Sequence, residues 1–166
     1  KEVGVFPPSG VDESDSFFSK EDTGSPGRLY LGVMPSGHTG QTALVQTAAA
    51  LLQAPLETQP GKAGMDTWWT MPIYHNSRRE LGKTMTLSRD DIPDRIKVIA
   101  ADPAMVRMCD EVEELSANVK GARIPELIAR LKQPKGSGGC IDVLPCTNMI
   151  SVGVDISRLG LMVVNG

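Results

Sequence analysis

The residues with the clearest chemical potential lie in the segment 141–155, IDVLPCTNMISVGVD. An apolar run ends before Thr147 and Asn148, which could offer a hydroxyl, an amide and backbone N–H groups to a phosphate. Gly153 permits close backbone approach or a positive φ. The carboxylate of Asp155 could accept a hydrogen bond from a ribose hydroxyl. Together these residues are consistent with the binding of a phosphate-containing ligand.

The same residues also have an ordinary structural interpretation. Polar side chains after a strand often only terminate it, and a single Gly-x-Asp is common in turns. The residue pattern by itself leaves both interpretations open.

A second polar cluster occupies residues 76–78 and follows the β-rich run 67–75, TWWTMPIYH. Pro72 predicts an edge or bulged position for this strand, and residues 79–82 could begin a helix. Open α/β sheets bind ligands beyond the carboxyl ends of their strands. Thr147 and Asn148, after their own apolar run, would therefore lie where such sheets bind ligands.

The remaining pattern alternates strands with helices. Strand-like runs occupy 28–34, 113–116, 141–144 and 160–164, while 95–100 fits either a strand or a short helix. The clearest helix spans 39–54 and is predicted to end at Pro55. Another follows Pro125, which suits a first helical turn, and 134–139 is a loop. Apolar strands alternating with helices favour an α/β fold with a parallel sheet covered on both faces.

The segment 32–39, GVMPSGHT, imitates a phosphate-binding loop because its glycines have the GxxxxG spacing. His38 stands where that loop needs lysine, and a neutral imidazole cannot supply the fixed charge. The pattern favours a strand–turn–helix connection. A free-standing α/β nucleotide binder remains a hypothesis drawn from this segment.

Three further groups have structural and functional interpretations. Trp68 and Trp69 would alternate on a strand, with one in the core, although either could stack on a base. His75 fits a strand-end histidine that could also reach a cleft. The cluster Asp90, Asp91 and Asp94 is expected to cap or solvate a turn and not to bind a metal.

The segment CTNMISVGVDI resembles motif V of superfamily 2 helicases. Cys146 takes the small position, Thr147 the threonine, Gly153 the glycine and Asp155 the aspartate, without a gap. Pro145 departs from the usual apolar or small residue before the motif. The sequence TNMISVGVD, followed by RLGLMVV, is similar to the helicase subunits of DISARM-type bacterial anti-phage systems.

Two further stretches extend the resemblance over residues 28–166. IYHNSRREL resembles motif IV, a strand ending in Asn-Ser-Arg. EELSANVKGARIPELIARL resembles the strand, loop and helix that lead into motif V. The motifs follow one another in the order that the family has.

The resemblance implies a C-terminal RecA-like lobe, a P-loop NTPase-type three-layer sandwich with a mainly parallel sheet, truncated at its C-terminal end. Residues 1–27 would be an extended or disordered lead-in and 28–166 the incomplete lobe. The residues that would contact the nucleic-acid backbone are Asn76, Ser77, Arg78, Thr147 and Asn148. Gly153 and Asp155 would face a nucleotide across the cleft between two lobes.

The leading hypothesis is therefore the second motor lobe of an ATP-dependent DNA helicase or translocase in phage defence. ATP with Mg²⁺ would bind the complete parent, whose first RecA-like lobe would be the partner of this one. The chain alone should contain no catalytic residue, bind no cofactor and hydrolyse no ATP, since phosphoryl transfer depends on the missing parts. The alternative is a truncated or degenerate lobe that docks other defence subunits without motor activity.

Composition bounds these hypotheses only loosely. The 166 residues suit one domain, and the formal charge of −3 gives no support to a stand-alone nucleic-acid binder. Three cysteines without CxxC spacing make a zinc site unexpected and fit a reducing cytoplasm. No apolar run is long enough to cross a membrane. Lys1, in place of Met, is expected for a piece of a longer protein.

Overall fold

The computed structural model describes residues 20, 22–24, 27–58, 64–151 and 156–166. The chain forms two compact units, Lys1–Met34 and Pro35–Gly166. The main elements of the second unit are α1 (Gly40–Thr58), β1 (Met71–His75), α2 (Arg78–Arg89), α3 (Asp91–Ile99), α4 (Ile124–Leu131), β2 (Val143–Cys146) and β3 (Val163–Asn165). Short 3-10 turns occupy Met65–Trp68, Pro103–Met105, Gly121–Arg123 and Asn148–Ser151.

The three strands form a parallel sheet in the order β2-β1-β3. Tyr74 of β1 lies opposite Cys146 of β2, and His75 lies opposite Asn165 of β3. A further extended segment joins the outer side of β2 through two isolated parallel bridges, at Val112 and Leu115. The predicted parallel α/β sheet is therefore confirmed.

Alternate side chains of the strands pack into two apolar layers. On one face, Met71, Ile73 and Val143 form a core with α1 and α3. On the other face, Leu144 and Cys146 pack with α4. Both faces of the sheet are thus covered, as the apolar strand runs predict.

The prediction that Pro72 marks an edge or bulged strand is wrong, because β1 is the central strand of the sheet. Met71 donates its N–H to Asp142 on the β2 side, so the neighbouring proline nitrogen faces the β3 side. Pairing with β3 begins only at Ile73. The missing N–H of Pro72 therefore costs the sheet no ladder hydrogen bond.

Pro145 has a visible consequence on the outer side of β2. Leu115 donates its N–H to the Pro145 carbonyl at 3.0 Å, and Glu113 donates to the Val143 carbonyl at 3.1 Å. A residue with an N–H at position 145 could donate back between these two bonds, but proline cannot. The segment beside β2 is consequently held by separate bridges, where the sequence predicts a strand at 113–116.

Helix α1 continues beyond Pro55, where the sequence predicts its end. Its last turn is held by the Glu57 carboxylate, which accepts from Gln53 Nε2 at 3.0 Å and from the Ala101 N–H at 2.9 Å. The Thr58 hydroxyl also donates to the Ala54 carbonyl at 2.8 Å. These bonds offset the single hydrogen bond that a proline removes so close to a helix end.

Two other local predictions are corrected. The run 28–34 forms no strand, and all of its residues are exposed, so the burial that its apolar composition suggests does not occur. Trp68 and Trp69 lie in and directly after the 3-10 turn Met65–Trp68, not on a strand. The helical alternative is confirmed for the run 95–100, since all of it but the last residue lies in α3 and Ala100 is the C-cap of that helix.

Candidate functional site

The carboxyl ends of the parallel strands meet at one edge of the sheet. We call this the carboxyl edge and define it by residues 76–78 after β1, 116–118 after the bridged segment, 147–148 after β2 and 165–166 at the end of β3. The Thr147 N–H donates to the Leu115 carbonyl at 3.1 Å, and Asn165 Nδ2 lies 3.4 Å from His75 Nδ1. The two polar clusters singled out from the sequence thus lie on the same edge.

Residues 76–78 are all exposed, but they differ in what their side chains do. The Ser77 hydroxyl caps α2, accepting from the Glu80 N–H at 3.3 Å and donating to the Glu80 carboxylate at 3.0 Å. These two bonds occupy the hydroxyl that the helicase resemblance assigns to a nucleic-acid contact. Asn76 lies beside the chain at Gly166, and Arg78 reaches across to Asn118.

Thr147 and Asn148 also differ in how exposed they are. Thr147 is 8% exposed, so little of the residue is open to a ligand. Asn148 is exposed and begins the turn Asn148–Ser151. Of the two residues, Asn148 is the more accessible to a ligand.

Gly153 and Asp155, the predicted nucleotide contacts, lie outside the described residues. The chain after them is fixed by Arg158, which holds Asp66 through Nε at 3.0 Å and Nη2 at 2.8 Å. Arg158 Nη1 also donates to Thr70 Oγ1 at 2.8 Å and to the Leu131 carbonyl at 3.1 Å. Because Thr70 precedes β1, Arg158 lies at the amino end of the sheet.

His75 ends β1 with a side chain that is fully buried. Burial lowers the pKa of its imidazole, and the nearby Glu80 carboxylate opposes this shift. Its Nε2 has no hydrogen-bond partner among the described residues. His75 is thus a buried strand-end residue adjoining the carboxyl edge, and not an open cleft ligand.

The amino end of the sheet contains a second polar network, around the buried Arg107. Its Nη1 donates to the Leu52 carbonyl at 3.0 Å, and Nη2 donates to the Trp69 carbonyl and to Asp142 Oδ1, the latter at 3.3 Å. The guanidinium carbon also lies 3.9 Å from the centre of the Trp69 ring. Burial raises the pKa of Asp142, although the Arg107 charge opposes that shift.

The segment that imitates a phosphate-binding loop lacks the strand that such a loop follows, because 27–34 is not a strand. Gly37 has a φ of +79°, and Thr39 caps α1 by accepting from the Thr42 N–H at 3.2 Å. Turn and helix are therefore present without the preceding strand.

The described cysteines are free and buried. Burial raises the pKa of Cys109 and of Cys146 to about 12 in each case, so neither is an activated nucleophile. No group of three metal-ligating side chains occurs within the described ranges. None of the helices in these ranges has the length and apolar character needed to cross a bilayer.

Sequence reasoning missed Asn118, Arg158 and Arg107. Asn118 contacts Arg78 across 40 residues of chain, and Arg158 contacts Asp66 across 92. No local pattern encodes such pairs, although Arg158 lies three residues after Asp155.

Comparison with known proteins gives one informative match. No protein-family model matches the chain. The chain is 40% identical over 168 aligned residues to the DISARM protein DrmA of Bacillus paralicheniformis, in an alignment that covers 97% of this chain. It spans 15% of the length of that relative. This identity over nearly the whole chain makes it a relative of a DISARM protein.

Proposed function

We propose that this chain is the second motor lobe of a superfamily 2 DNA helicase or translocase that acts in phage defence. The observation that carries the proposal is the carboxyl edge, where the segments resembling motifs IV and V follow neighbouring parallel strands. The relation to the DISARM protein DrmA supports the defence context.

The edge offers chemistry suited to a nucleic-acid backbone. Arg78 and Asn148 are exposed there, and both can donate to phosphate oxygens. Contacts of this type position a strand without reading its sequence. A translocase needs that property because it steps along any sequence.

In this proposal ATP and Mg²⁺ bind between this lobe and a first RecA-like lobe, with Gly153 and Asp155 facing the nucleotide. Phosphoryl transfer depends on phosphate-binding and metal-binding groups, which the helicase resemblance assigns to the first lobe. The chain alone is therefore expected to hydrolyse no ATP, with or without DNA.

The test is binding of a fluorescent oligothymidylate to the chain, followed by anisotropy over a range of salt concentrations. We expect binding that weakens as salt rises. Arg78→Ala should weaken it about fivefold and reduce the slope of log K against log salt by about 0.7.

Arg89→Ala is the matched control, since Arg89 is an exposed arginine at the other end of α2, about 16 Å away along the helix axis. It should leave affinity nearly unchanged. A wild-type chain that binds no strand, or equal losses in the two variants, would contradict the proposal and favour a protein-interaction module.

A further inference from the structure

The guanidinium of Arg78 is held by a residue that lies far away in the sequence. Arg78 Nη1 donates to Asn118 Oδ1 at 3.1 Å, which joins the start of α2 to the loop after Leu115. Both residues are exposed on the carboxyl edge. An exposed arginine side chain is usually free to sample many rotamers. This bond limits that freedom at the position where we propose that a nucleic-acid strand binds.

Asn118 is itself fixed by the loop that carries it. Its Nδ2 donates to Glu114 Oε1 at 3.1 Å, and its backbone N–H donates to Ser116 Oγ at 3.1 Å. The Ser116 hydroxyl donates in turn to the same Glu114 oxygen, and Ser116 is fully buried. The amide is therefore anchored on the core side and presents its oxygen to Arg78.

Donor and acceptor chemistry allows only one orientation of this amide. A guanidinium can only donate, and an ionised carboxylate can only accept. The oxygen of Asn118 must therefore face Arg78 and its nitrogen must face Glu114. A side chain with only donors or only acceptors could not make both bonds.

The partner of Arg78 is also neutral. Arg78 makes no ion pair with any carboxylate in the described part of the chain. Asn118 keeps Glu114 one side chain away, so the arginine is oriented without being neutralised. An oriented guanidinium with its charge intact suits a phosphate, which it can bind through charge-assisted hydrogen bonds.

We propose that Asn118, backed by Glu114 and Ser116, is a positioning residue that aims Arg78 at a phosphate of a bound single strand. This inference rests on the proposed function, since it concerns the same edge. It adds a residue to that edge from outside the segments that resemble motifs IV and V.

The test is a double-mutant cycle on oligothymidylate binding by the full chain, with Asn118→Ala, Arg78→Ala and the double variant. Asn118→Ala should weaken binding about threefold. In the Arg78→Ala background the same change should have no further effect, because the side chain that Asn118 positions is gone. Gln133→Ala, an exposed amide in the loop after α4, is the control and should bind like the wild type.

Asn118→Asp provides a second variant with a distinct signature. Its carboxylate would pair with Arg78 and add a negative charge to the edge. Binding should fall about tenfold, and the salt slope should drop as it does in Arg78→Ala. A loss caused only by a damaged loop would lower the thermal midpoint without changing the slope in this way.

The outcomes separate the two proposals. A wild-type chain that binds no strand overturns the proposed function and this inference with it. A wild-type chain that binds, with Asn118→Ala equally harmful in both backgrounds or harmless in the first, overturns the positioning role alone.

Discussion

The two ends of the sheet use arginine in opposite ways. At the amino end, Arg107 is buried and its charge is met by Asp142 and by backbone carbonyls. At the carboxyl edge, Arg78 is exposed and meets the neutral amide of Asn118. A guanidinium that is buried and paired with an internal carboxylate is closed to a ligand, whereas an exposed, oriented and unneutralised one can bind a ligand. Burial and charge pairing therefore distinguish the structural Arg107 from Arg78, the arginine that we propose binds a ligand.

The largest effect should come from breaking the amino-end network with Arg107→Ala. The change leaves Asp142 without its cation and removes the Arg107 donors from two backbone carbonyls, so we expect a loss of about 3–5 kcal/mol in the free energy of unfolding. Urea denaturation measures it, with Arg89→Ala as the exposed control, which should shift stability by less than about 0.5 kcal/mol. A loss below about 1 kcal/mol for Arg107→Ala would remove the contrast between the two ends.

The second-largest effect on stability should come from Gly160, where the backbone lies close to Thr67. Its N–H donates to the Thr67 carbonyl at 2.8 Å, and an added Cβ would lie 2.3 Å from Thr67 Cγ2. Gly160→Ala should therefore destabilise the fold by about 1–3 kcal/mol. Gly82, inside α2, has open space where a Cβ would lie.

Gly82→Ala is accordingly the control for this prediction. It should stabilise the chain by about 0.5–1 kcal/mol, because alanine is the better helix former. Similar thermal midpoints for the two alanine variants would show that the amino end tolerates a displacement of the chain at this point.

The dependence of stability on pH should show a smaller difference between the two ends of the sheet. Burial holds the pKa of His75 below its ordinary value of 6.5, so the unfolded chain takes up the proton first as pH falls. The free energy of unfolding should begin to decrease below about pH 6.5 and level off below the folded pKa. The Arg158 hydrogen bond lowers the pKa of Asp66 below 3.8, so that contribution is lost only in more acidic solution.

Urea denaturation at a series of pH values tests this order. His75→Gln should remove the decrease that begins near pH 6.5 and leave the acidic loss from Asp66 in place. If the wild-type and His75→Gln chains lose the same stability as pH falls below about 6.5, a group other than His75 causes the loss.

The sequence predicts what is local and periodic in this fold. The parallel sheet, the helix after residue 78 and the loop at 134–139 follow from apolar periodicity and from turn residues. The polar residues after β1 and β2 meet at one edge because parallel strands place all their carboxyl ends together.

Tertiary contacts decide the features of the fold that local sequence patterns do not predict. Pro55 and Pro72 lie inside regular elements because the folded chain compensates the first with side-chain bonds and demands no N–H from the second. The run 28–34 shows the converse, since an apolar composition forms a strand only with a partner. Asn118 could not be found in advance, because its significance depends on Arg78, 40 residues earlier.

The smallest effect on stability should come from the arginine that we propose contacts the nucleic-acid backbone. Arg78→Ala removes one exposed side chain that is held by a single neutral amide, so the free energy of unfolding should change by less than about 0.5 kcal/mol. Paired urea and anisotropy measurements on the same preparation check this. A loss above about 1.5 kcal/mol would place Arg78 with Arg107 as a structural arginine, and its effect on strand binding would then report damage to the fold. Unchanged stability with a lower salt slope would instead mean that the carboxyl edge holds an arginine whose charge the fold leaves available to a ligand.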